Sequence, residues 1–177
     1  MGDLAGGLDQ AVGADAHQIG VAGAEADADS PHRDWFAFGP QFPGGARSWW
    51  LNENLPELNL EHPAVRDHVY GATDSAVRQW LRAGADGCRL DVAVDIVFRY
   101  LAELTAAAHA EKPGSLVVGE IASYPAEWFR HIDAVMHFTL RHILLKLSSG
   151  QLDGATAMRM IHRMVDDGGI EPMLRSW

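Results

Sequence analysis

The sequence has a single cysteine, Cys88, which excludes both a disulfide within the chain and a zinc site built from several cysteines. It has no apolar run close to the roughly 20 residues that a membrane-spanning helix needs. Its first residues lack the basic cluster and the apolar stretch of a secretory signal peptide. These absences predict a cytoplasmic protein with no membrane partner.

Basic residues are scarce: Lys and Arg number 14 against 24 Asp and Glu, and the formal net charge is -10. The only lysines are Lys112 and Lys146. An excess of negative charge repels nucleic acid and anionic membrane surfaces, so we predict that neither is a partner. An apolar fraction of 47% with six Trp nevertheless indicates a globular fold.

Residues 1–30 differ from the rest of the chain, because Ala, Gly and Asp dominate and no Phe, Tyr or Trp occurs. Such a segment buries too little apolar area to offset the entropy lost on ordering. We predict a low-complexity N-terminal segment over 1–30 that is not part of the fold, and a folded region over 31–177. The aromatic, Pro- and Gly-rich stretch from residue 31 to about 50 predicts a long ordered loop, a kind of element that is usually functional.

From residue 63 onward, helical and strand patterns alternate. Strands are predicted at 86–91, 116–120 and 133–138, and residues 173–177 are typical of the start of a fourth. Between and after them, apolar spacing predicts helices, whose expected buried positions are Val65, Val69, Ala72, Ala76, Trp80, Val97, Leu101, Leu104, Ala108, Leu140, Ile143, Leu144, Leu147, Met158, Ile161 and Val165. The alternation predicts an α/β fold with a parallel sheet. A sheet of three or four strands has unpaired edges, so we expect an incomplete domain that self-associates through them.

Two carboxylates are predicted at the carboxyl ends of neighbouring strands, where functional side chains of parallel sheets gather. Asp91 ends the first strand and Glu120 the second. Side chains alternate along a strand, so Arg89 faces the same side as Asp91 and favours its ionised form. Glycoside hydrolysis uses such a pair, one acid as nucleophile and one as proton donor and then acceptor. On this pattern alone, solvated strand caps or structural ion pairs are an equal alternative.

Three segments resemble motifs of the α-amylase superfamily, glycoside hydrolase family 13. Asp-Gly-Cys-Arg-Leu-Asp-Val-Ala at 86–93 resembles the strand-four motif, and Val-Gly-Glu at 118–120 resembles the strand-five motif. Leu-Pro-Glu-Leu-Asn at 55–59 resembles a segment that precedes them, and Pro-His-Arg-Asp-Trp-Phe at 31–36 is similar to the cyclomaltodextrinase, neopullulanase and maltogenic amylase branch. The resemblance covers about 31–177 and implies a partial (β/α)8 TIM barrel, roughly strands four to seven with their helices.

The resemblance implies Asp91 as the nucleophile, Glu120 as the acid/base and Arg89 as the invariant arginine beside the nucleophile. His137, near the end of its strand, is a candidate sugar contact. The implied substrate is an α-1,4-glucan, a maltooligosaccharide or a cyclodextrin, cleaved with retention by hydrolysis or transglycosylation. No cofactor is implied. Glu57 occupies a position that binds calcium in some amylases, but one carboxylate is too few for a site, so no metal is predicted.

The sequence also departs from the family pattern. Cys88 replaces an aromatic residue and is expected to be a small buried side chain, not a nucleophile; Ala122 replaces a frequent Trp. The third catalytic carboxylate, in an Asn-His-Asp motif after strand seven, and the strand-three motif do not occur. We therefore expect a truncated reading frame of a longer enzyme, with residues 1–30 unrelated to the family and little or no turnover by this chain alone.

Two other functions compete with an enzyme fragment. One is a non-catalytic binding or interaction module, or a non-functional remnant, which predicts association through strand edges. The other is a barrel enzyme that holds a metal between the two acids, which predicts bound metal. Trp49 and Trp50 also have two interpretations: platforms for sugar rings, or the commoner buried anchors of a loop.

Overall fold

The structure, a computed structural model, describes residues 29–52 and 54–176. The predicted N-terminal segment 1–30 therefore lies outside the described residues, except for its last two. The chain divides into two compact units, one that ends at Ala83 and one that begins at Gly84. Within the described ranges, no helix is both long and apolar enough to cross a membrane.

The first unit contains the predicted aromatic loop. Isolated antiparallel bridges join Phe36 to Leu58, Phe38 to Ala46 and Ser48 to Pro56. The chain therefore reverses direction twice, and the bridge between Phe36 and Leu58 joins the two ends of the segment. The buried ring of Phe36 forms a small apolar cluster with three neighbours, Trp35, Phe38 and Leu58. These backbone bridges and this cluster order the loop without a regular strand.

The continuous helix predicted between residues 63 and 80 is interrupted. Helix α1, Pro63–Arg66, runs into one wider π-helical turn at Asp67–Gly71, and Ala72 is then extended. Helix α2, Ala76–Arg82, starts anew. The prediction of a single apolar face is therefore wrong, because the interruption resets the helical phase. The buried apolar side chains of α2 are Val77 and Leu81, in place of Ala76 and Trp80.

The second unit is built on three parallel strands in the order β1, β2, β3. They are β1 at Gly87–Leu90, β2 at Leu116–Ile121 and β3 at Ala134–His137. Helix α3, Phe98–Glu111, connects β1 to β2 and contacts β2. Three helices follow β3 within the described residues: α4 at Phe138–Ser148, α5 at Gly154–Gly168 and α6 at Ile170–Arg175. The three predicted strands, the helix between β1 and β2 and the helices after the sheet are thus present. The alternation predicts a helix between β2 and β3 as well, but that segment has only a 3-10 turn at Trp128–Arg130.

The two faces of this sheet differ in burial. The side chains of one face are buried and apolar: Cys88, Leu90, Val117, Ile121 and Val135. The register pairs Arg89 with Val118 and Glu120 with Met136, so these residues lie on the opposite face. On that face Arg89, Glu120 and Met136 are partly exposed, whereas Val118 is buried. Period-two alternation therefore places the polar residues of β1 and β2 side by side.

The fourth strand predicted at 173–177 is wrong, because α6 occupies Ile170–Arg175. Pro172 lies in the first turn of α6, where a missing backbone N–H is tolerated, and Glu171 pairs with Arg175 one turn later. Ser176 then binds to the outer edge of β3: its Oγ accepts a hydrogen bond from the backbone N–H of Val135 at 3.0 Å. A side chain thus replaces one hydrogen bond that a neighbouring strand would make.

Helices α4 and α5 pack on each other through fewer apolar residues than predicted. Their buried side chains are Ile143, Ala157 and Met164. Leu144, Leu147 and Met158, which were expected to be buried, are exposed. Of the predicted stripe, Ile143 is buried and Leu140 and Ile161 are partly buried against it. Helix α5 buries Ala157 and Met164, each one residue before the predicted Met158 and Val165.

Candidate active site

Arg89 lies between two carboxylates at the carboxyl end of the sheet. Its Nη2 is 3.0 Å from Oε2 of Glu120 on the neighbouring strand, and its Nη1 donates to Oδ1 of Asp91. The side chains of Arg89, Glu120 and Asp91 are 18%, 27% and 46% exposed. The structure therefore brings the three residues into one ionic cluster, with Asp91 as its most accessible member.

Glu120 has a second donor, the backbone N–H of Val92, which lies 3.1 Å from the same Oε2. Two hydrogen bonds to one oxygen fix the plane of the carboxylate. Among the described residues, no hydrogen bond ends on Oε1 of Glu120. The two oxygens are thus unequal: Oε2 is held by the protein, and Oε1 is available to a ligand.

Met136 is a neighbour of this cluster that the sequence analysis missed. The register pairs it with Glu120, and its Sδ lies 3.4 Å from Nε of Arg89. The guanidinium is therefore held on three sides, by two carboxylates and a thioether. The alternation of side chains along β3 could have predicted this contact, because it places Met136 on the same face of the sheet as Glu120.

His137 is not brought together with the carboxylates. The register pairs it with Ile121, one step from Glu120 and on the buried face, and the residue is 5% exposed. Its Nδ1 accepts the N–H of Leu140 at 3.3 Å as the cap of α4, and its Nε2 lies 3.1 Å from Sδ of Met173. Burial lowers the pKa of this imidazole, which suits a neutral ring that accepts at Nδ1.

Cys88 lies on the buried face of β1. Burial raises the pKa of its thiol to about 12, and the negative charge of Asp133 adds to the rise. A thiol that stays protonated is a poor nucleophile. The geometry thus agrees with the expectation of a small buried side chain in place of an aromatic one.

The first unit holds the remaining candidates. Trp50 stacks on Trp49 with ring centroids 5.2 Å apart, yet it is 78% exposed, so the interpretation as a buried anchor is wrong for Trp50. Glu57 is paired with Arg47, whose Nε is 2.9 Å from its Oε2. Within residues 29–52 and 54–176, no group of three or more His, Cys, Asp or Glu could hold a metal ion.

Comparison with known proteins places these observations in one family. The model described as "Alpha amylase, catalytic domain" matches residues 23–167. Cyclomaltodextrinase from Geobacillus thermopakistaniensis is 31% identical over 136 residues, which are 75% of this chain and 20% of that protein. Neopullulanase 2 from Thermoactinomyces vulgaris is 29% identical over 126 residues, 66% of this chain and 21% of that protein. The chain thus spans about a fifth of the length of these curated relatives.

Solved structures agree with the sequence matches. The ligand-free cyclic α-maltosyl-(1→6)-maltose hydrolase from Arthrobacter globiformis superposes with a TM-score of 0.78 at 25% identity, over 89% of this chain and 37% of that one. The type III pullulan hydrolase from Thermococcus kodakarensis gives 0.71 at 32% identity, over 83% of this chain and 27% of that one. The predicted fold class is therefore confirmed: the open parallel sheet and its helices are part of a (β/α)8 catalytic barrel.

Proposed function

The chain belongs to the α-amylase catalytic-domain family, and from that membership we propose that it carries the nucleophile and the acid/base of a retaining α-1,4-glucan hydrolase or transglycosylase. Asp91 is the nucleophile and Glu120 the acid/base. The complete catalytic domain performs the reaction. This chain alone contributes two carboxylates and turns over little or no substrate, because residues that act as a unit lose nearly all activity when one is missing.

The observation that carries the proposal is the position of Arg89 between the two acids. A single guanidinium contacts both carboxylates, so the two acids lie close together, as the double displacement of a retaining enzyme requires. Both acids also lie at the carboxyl ends of adjacent parallel strands, the end at which barrel enzymes place their chemistry.

The division of roles follows the family motifs that contain the two acids. In the first step an oxygen of Asp91 forms a bond to the anomeric carbon while the glycosidic C–O bond breaks, and Glu120 gives its proton to the leaving oxygen. In the second step Glu120 takes a proton from water, whose oxygen bonds to the anomeric carbon and releases Asp91. A sugar hydroxyl in place of water gives transglycosylation. Oε1 of Glu120 is the oxygen that exchanges the proton, since Oε2 already accepts from Arg89 and Val92.

Arg89 and Met136 keep this arrangement in place. Arg89 stabilises the negative charge on Asp91 before attack and on Glu120 after the proton has left. Met136 contacts Arg89 at Nε, the one guanidinium nitrogen that neither carboxylate engages in these contacts. The thioether therefore orients the guanidinium without competing for its charge.

The substrate class rests on the relatives. Two of them are named for cyclomaltodextrin and pullulan cleavage, and the Arthrobacter globiformis hydrolase has been solved in complex with maltose. In the first unit, the exposed ring of Trp50 offers a flat apolar surface of the kind on which pyranose rings stack. One relative is named an intracellular maltogenic amylase, which supports the cytoplasm as the place of action.

A non-catalytic interaction module is the second candidate, and exposed apolar surface favours it. Within the described residues β1 pairs only with β2, and Leu144, Leu145 and Leu147 of α4 are exposed. Unpaired edges and apolar patches promote association. Light scattering distinguishes the two: an interaction module forms defined assemblies, whereas a monodisperse monomer that unfolds cooperatively contradicts this second function.

The experiment is release of reducing sugar from β-cyclodextrin, maltotriose and pullulan by the purified 177-residue chain, with Asp91→Asn and Glu120→Gln beside it. Glu127→Gln is the matched control, because Glu127 is an exposed acid of the same unit whose salt-bridge partner, among the described residues, is Arg130 in an i,i+3 contact. The wild-type chain and all three variants should release little or no sugar. Turnover that both site variants abolish and the control retains would contradict the inactivity of the isolated chain and support the roles of Asp91 and Glu120. Turnover that survives both site variants overturns those roles.

A further inference from the structure

Val92, directly after the proposed nucleophile, has a backbone conformation that its side chain disfavours. Its φ of 39° and ψ of 47° lie in the left-handed region. A β-branched residue there is an outlier, since its Cβ crowds the following carbonyl. Such a conformation persists only where the surrounding structure enforces it, and it is most often found at functional sites.

The conformation has one visible consequence: it turns the backbone N–H of Val92 towards β2. That N–H donates to Oε2 of Glu120 at 3.1 Å, although 28 residues separate the two. The same oxygen accepts from Arg89. The strained residue thus supplies the second of the two donors that fix this carboxylate.

Gly119 allows the turn to approach the strand. Ala93, the residue after Val92, is fully buried. A Cβ added at Gly119 would lie 3.0 Å from Cβ of Ala93 and 2.6 Å from Cδ1 of Ile132. The second contact is closer than real Cβ atoms come, and the first is close packing. A glycine immediately before Glu120 is therefore what lets Ala93 sit against β2 and holds Val92 opposite the carboxylate.

We propose that Val92 is a positioning residue for the acid/base: its left-handed turn, seated on Gly119, delivers a backbone amide that fixes Oε2 of Glu120 and leaves Oε1 to exchange the proton. The catalytic role of Glu120 in this statement rests on the proposed function. This device, by which we mean the turn at Val92 and its hydrogen bond to Glu120, acts through the main chain. The identity of the Val92 side chain is therefore secondary to the conformation that the residue adopts.

Amide hydrogen exchange in the ¹⁵N-labelled 177-residue chain tests the device without requiring turnover. Glu120→Ala removes the acceptor, and exchange of the Val92 amide should become about tenfold to a hundredfold faster, as expected for the loss of a hydrogen bond to a charged group. The amide of Val117, which donates to Asp133 at 2.8 Å, is the internal reference for global stability. Glu127→Ala should leave both amides unchanged. An unaltered Val92 amide in Glu120→Ala overturns the proposal.

Two further variants keep the test decisive if Glu120→Ala folds poorly. Glu120→Gln retains an acceptor oxygen without the charge, and it should give a smaller acceleration than Glu120→Ala. Gly119→Ala leaves every atom of the hydrogen bond in place but brings a methyl group to 3.0 Å from Cβ of Ala93, so the turn must shift by a few tenths of an ångström. It should still accelerate exchange of the Val92 amide relative to Val117. Equal exchange in Gly119→Ala and the wild type shows that the close approach does not hold the amide and contradicts the device.

A kinetic comparison separates this inference from the proposed function. In a complete cyclomaltodextrinase that carries residues 84–137 of this chain, Gly119→Ala should lower kcat with KM unchanged, because a displaced turn misplaces the proton donor without altering substrate binding. Val92→Gly should retain kcat, because glycine adopts the left-handed conformation without strain. If the Val92 amide exchanges faster in Glu120→Ala but Asp91→Asn retains full turnover, the proposed function is wrong and the positioning role of Val92 is not contradicted. Turnover that depends on Asp91 while Val92 shows no coupling to Glu120 overturns the device alone.

Discussion

Arg89 Nη2 and Glu120 Oε2 lie 3.0 Å apart across the β1–β2 pair, although 31 residues separate them in the chain. The same guanidinium donates to Asp91. One guanidinium therefore contacts two carboxyl groups in a setting that is only partly open to solvent. Replacement of Arg89 should therefore affect both the stability of the fold and catalysis.

Replacement of Arg89 should destabilise the second unit. Arg89→Met leaves two carboxylates close together with no cation between them, and we expect a loss of about 1–3 kcal/mol in the free energy of unfolding. This is less than for a fully buried pair because Asp91 is half exposed. Arg99→Met, which breaks an exposed i,i+4 pair with Glu103, should cost no more than about 0.5 kcal/mol. Equal urea midpoints for the two variants would contradict the central place of Arg89.

Buried His137 should make stability depend on pH. Burial lowers the pKa of its ring below the ordinary value of 6.5, so below that pH the unfolded chain binds the proton first. Stability is then complete above pH 6.5 and declines as the pH falls through the folded-state pKa. Protonation also turns Nδ1 into a donor, which breaks the cap on Leu140.

The check is thermal unfolding of the wild type and His137→Asn between pH 7.5 and pH 5. We expect the wild type to lose stability across this interval and the variant to lose less, because it keeps a capping oxygen but cannot titrate there. His142→Asn changes an exposed histidine of the same helix and should follow the wild type. Parallel curves for wild type and His137→Asn would refute the role of this ring.

Cys88 should be unreactive while the chain is folded. Its thiol is buried and has a pKa of about 12, so at pH 8 almost none is present as the reactive thiolate. We expect negligible reaction with a disulfide reagent in buffer and one reactive thiol per chain in denaturant. Rapid modification of the folded chain would show that β1 is not packed as the structure has it.

Trp50 should contribute to binding of glucan chains. Loss of one aromatic stacking surface in Trp50→Ala should weaken binding of maltooligosaccharide about threefold to tenfold, measured by quenching of tryptophan fluorescence. Trp80→Ala, which removes another exposed indole of the first unit, is the matched control. Unchanged affinity in Trp50→Ala would make the exposed ring irrelevant to sugar.

The sequence predicted the parts of the fold that depend on short-range periodicity. Strand β2 was predicted because the apolar run Leu116-Val117-Val118 ends at Gly119 and Glu120. Arg89 was placed on the correct face because alternation along a strand is a geometric necessity. Periodicity alone did not distinguish catalytic carboxylates from members of structural ion pairs. The family motifs favoured the catalytic roles.

Failures of prediction occurred where tertiary context decides. The break before α2 depends on Ala72 turning extended, which changes the helical phase and moves burial from Trp80 to Val77. The segment at 173–177 lacks a neighbouring strand in the described structure, so local helix signals prevail and Ser176 serves the edge of β3 instead. Val92 could not be found from sequence at all, because its contribution is a backbone N–H in an unfavourable conformation.

The most direct test of the catalytic pair is transplantation into a complete enzyme. Residues 84–137 would replace the aligned segment of the cyclomaltodextrinase from Geobacillus thermopakistaniensis, and β-cyclodextrin hydrolysis would be measured for the chimaera and for its Asp91→Asn, Glu120→Gln and Glu127→Gln variants. We expect a cooperatively folded, active chimaera whose rate falls by at least about a thousandfold in the first two variants and is retained in the third. A folded chimaera that is inert, or one that keeps its rate in Asp91→Asn and Glu120→Gln, would contradict the assignment of these two carboxylates.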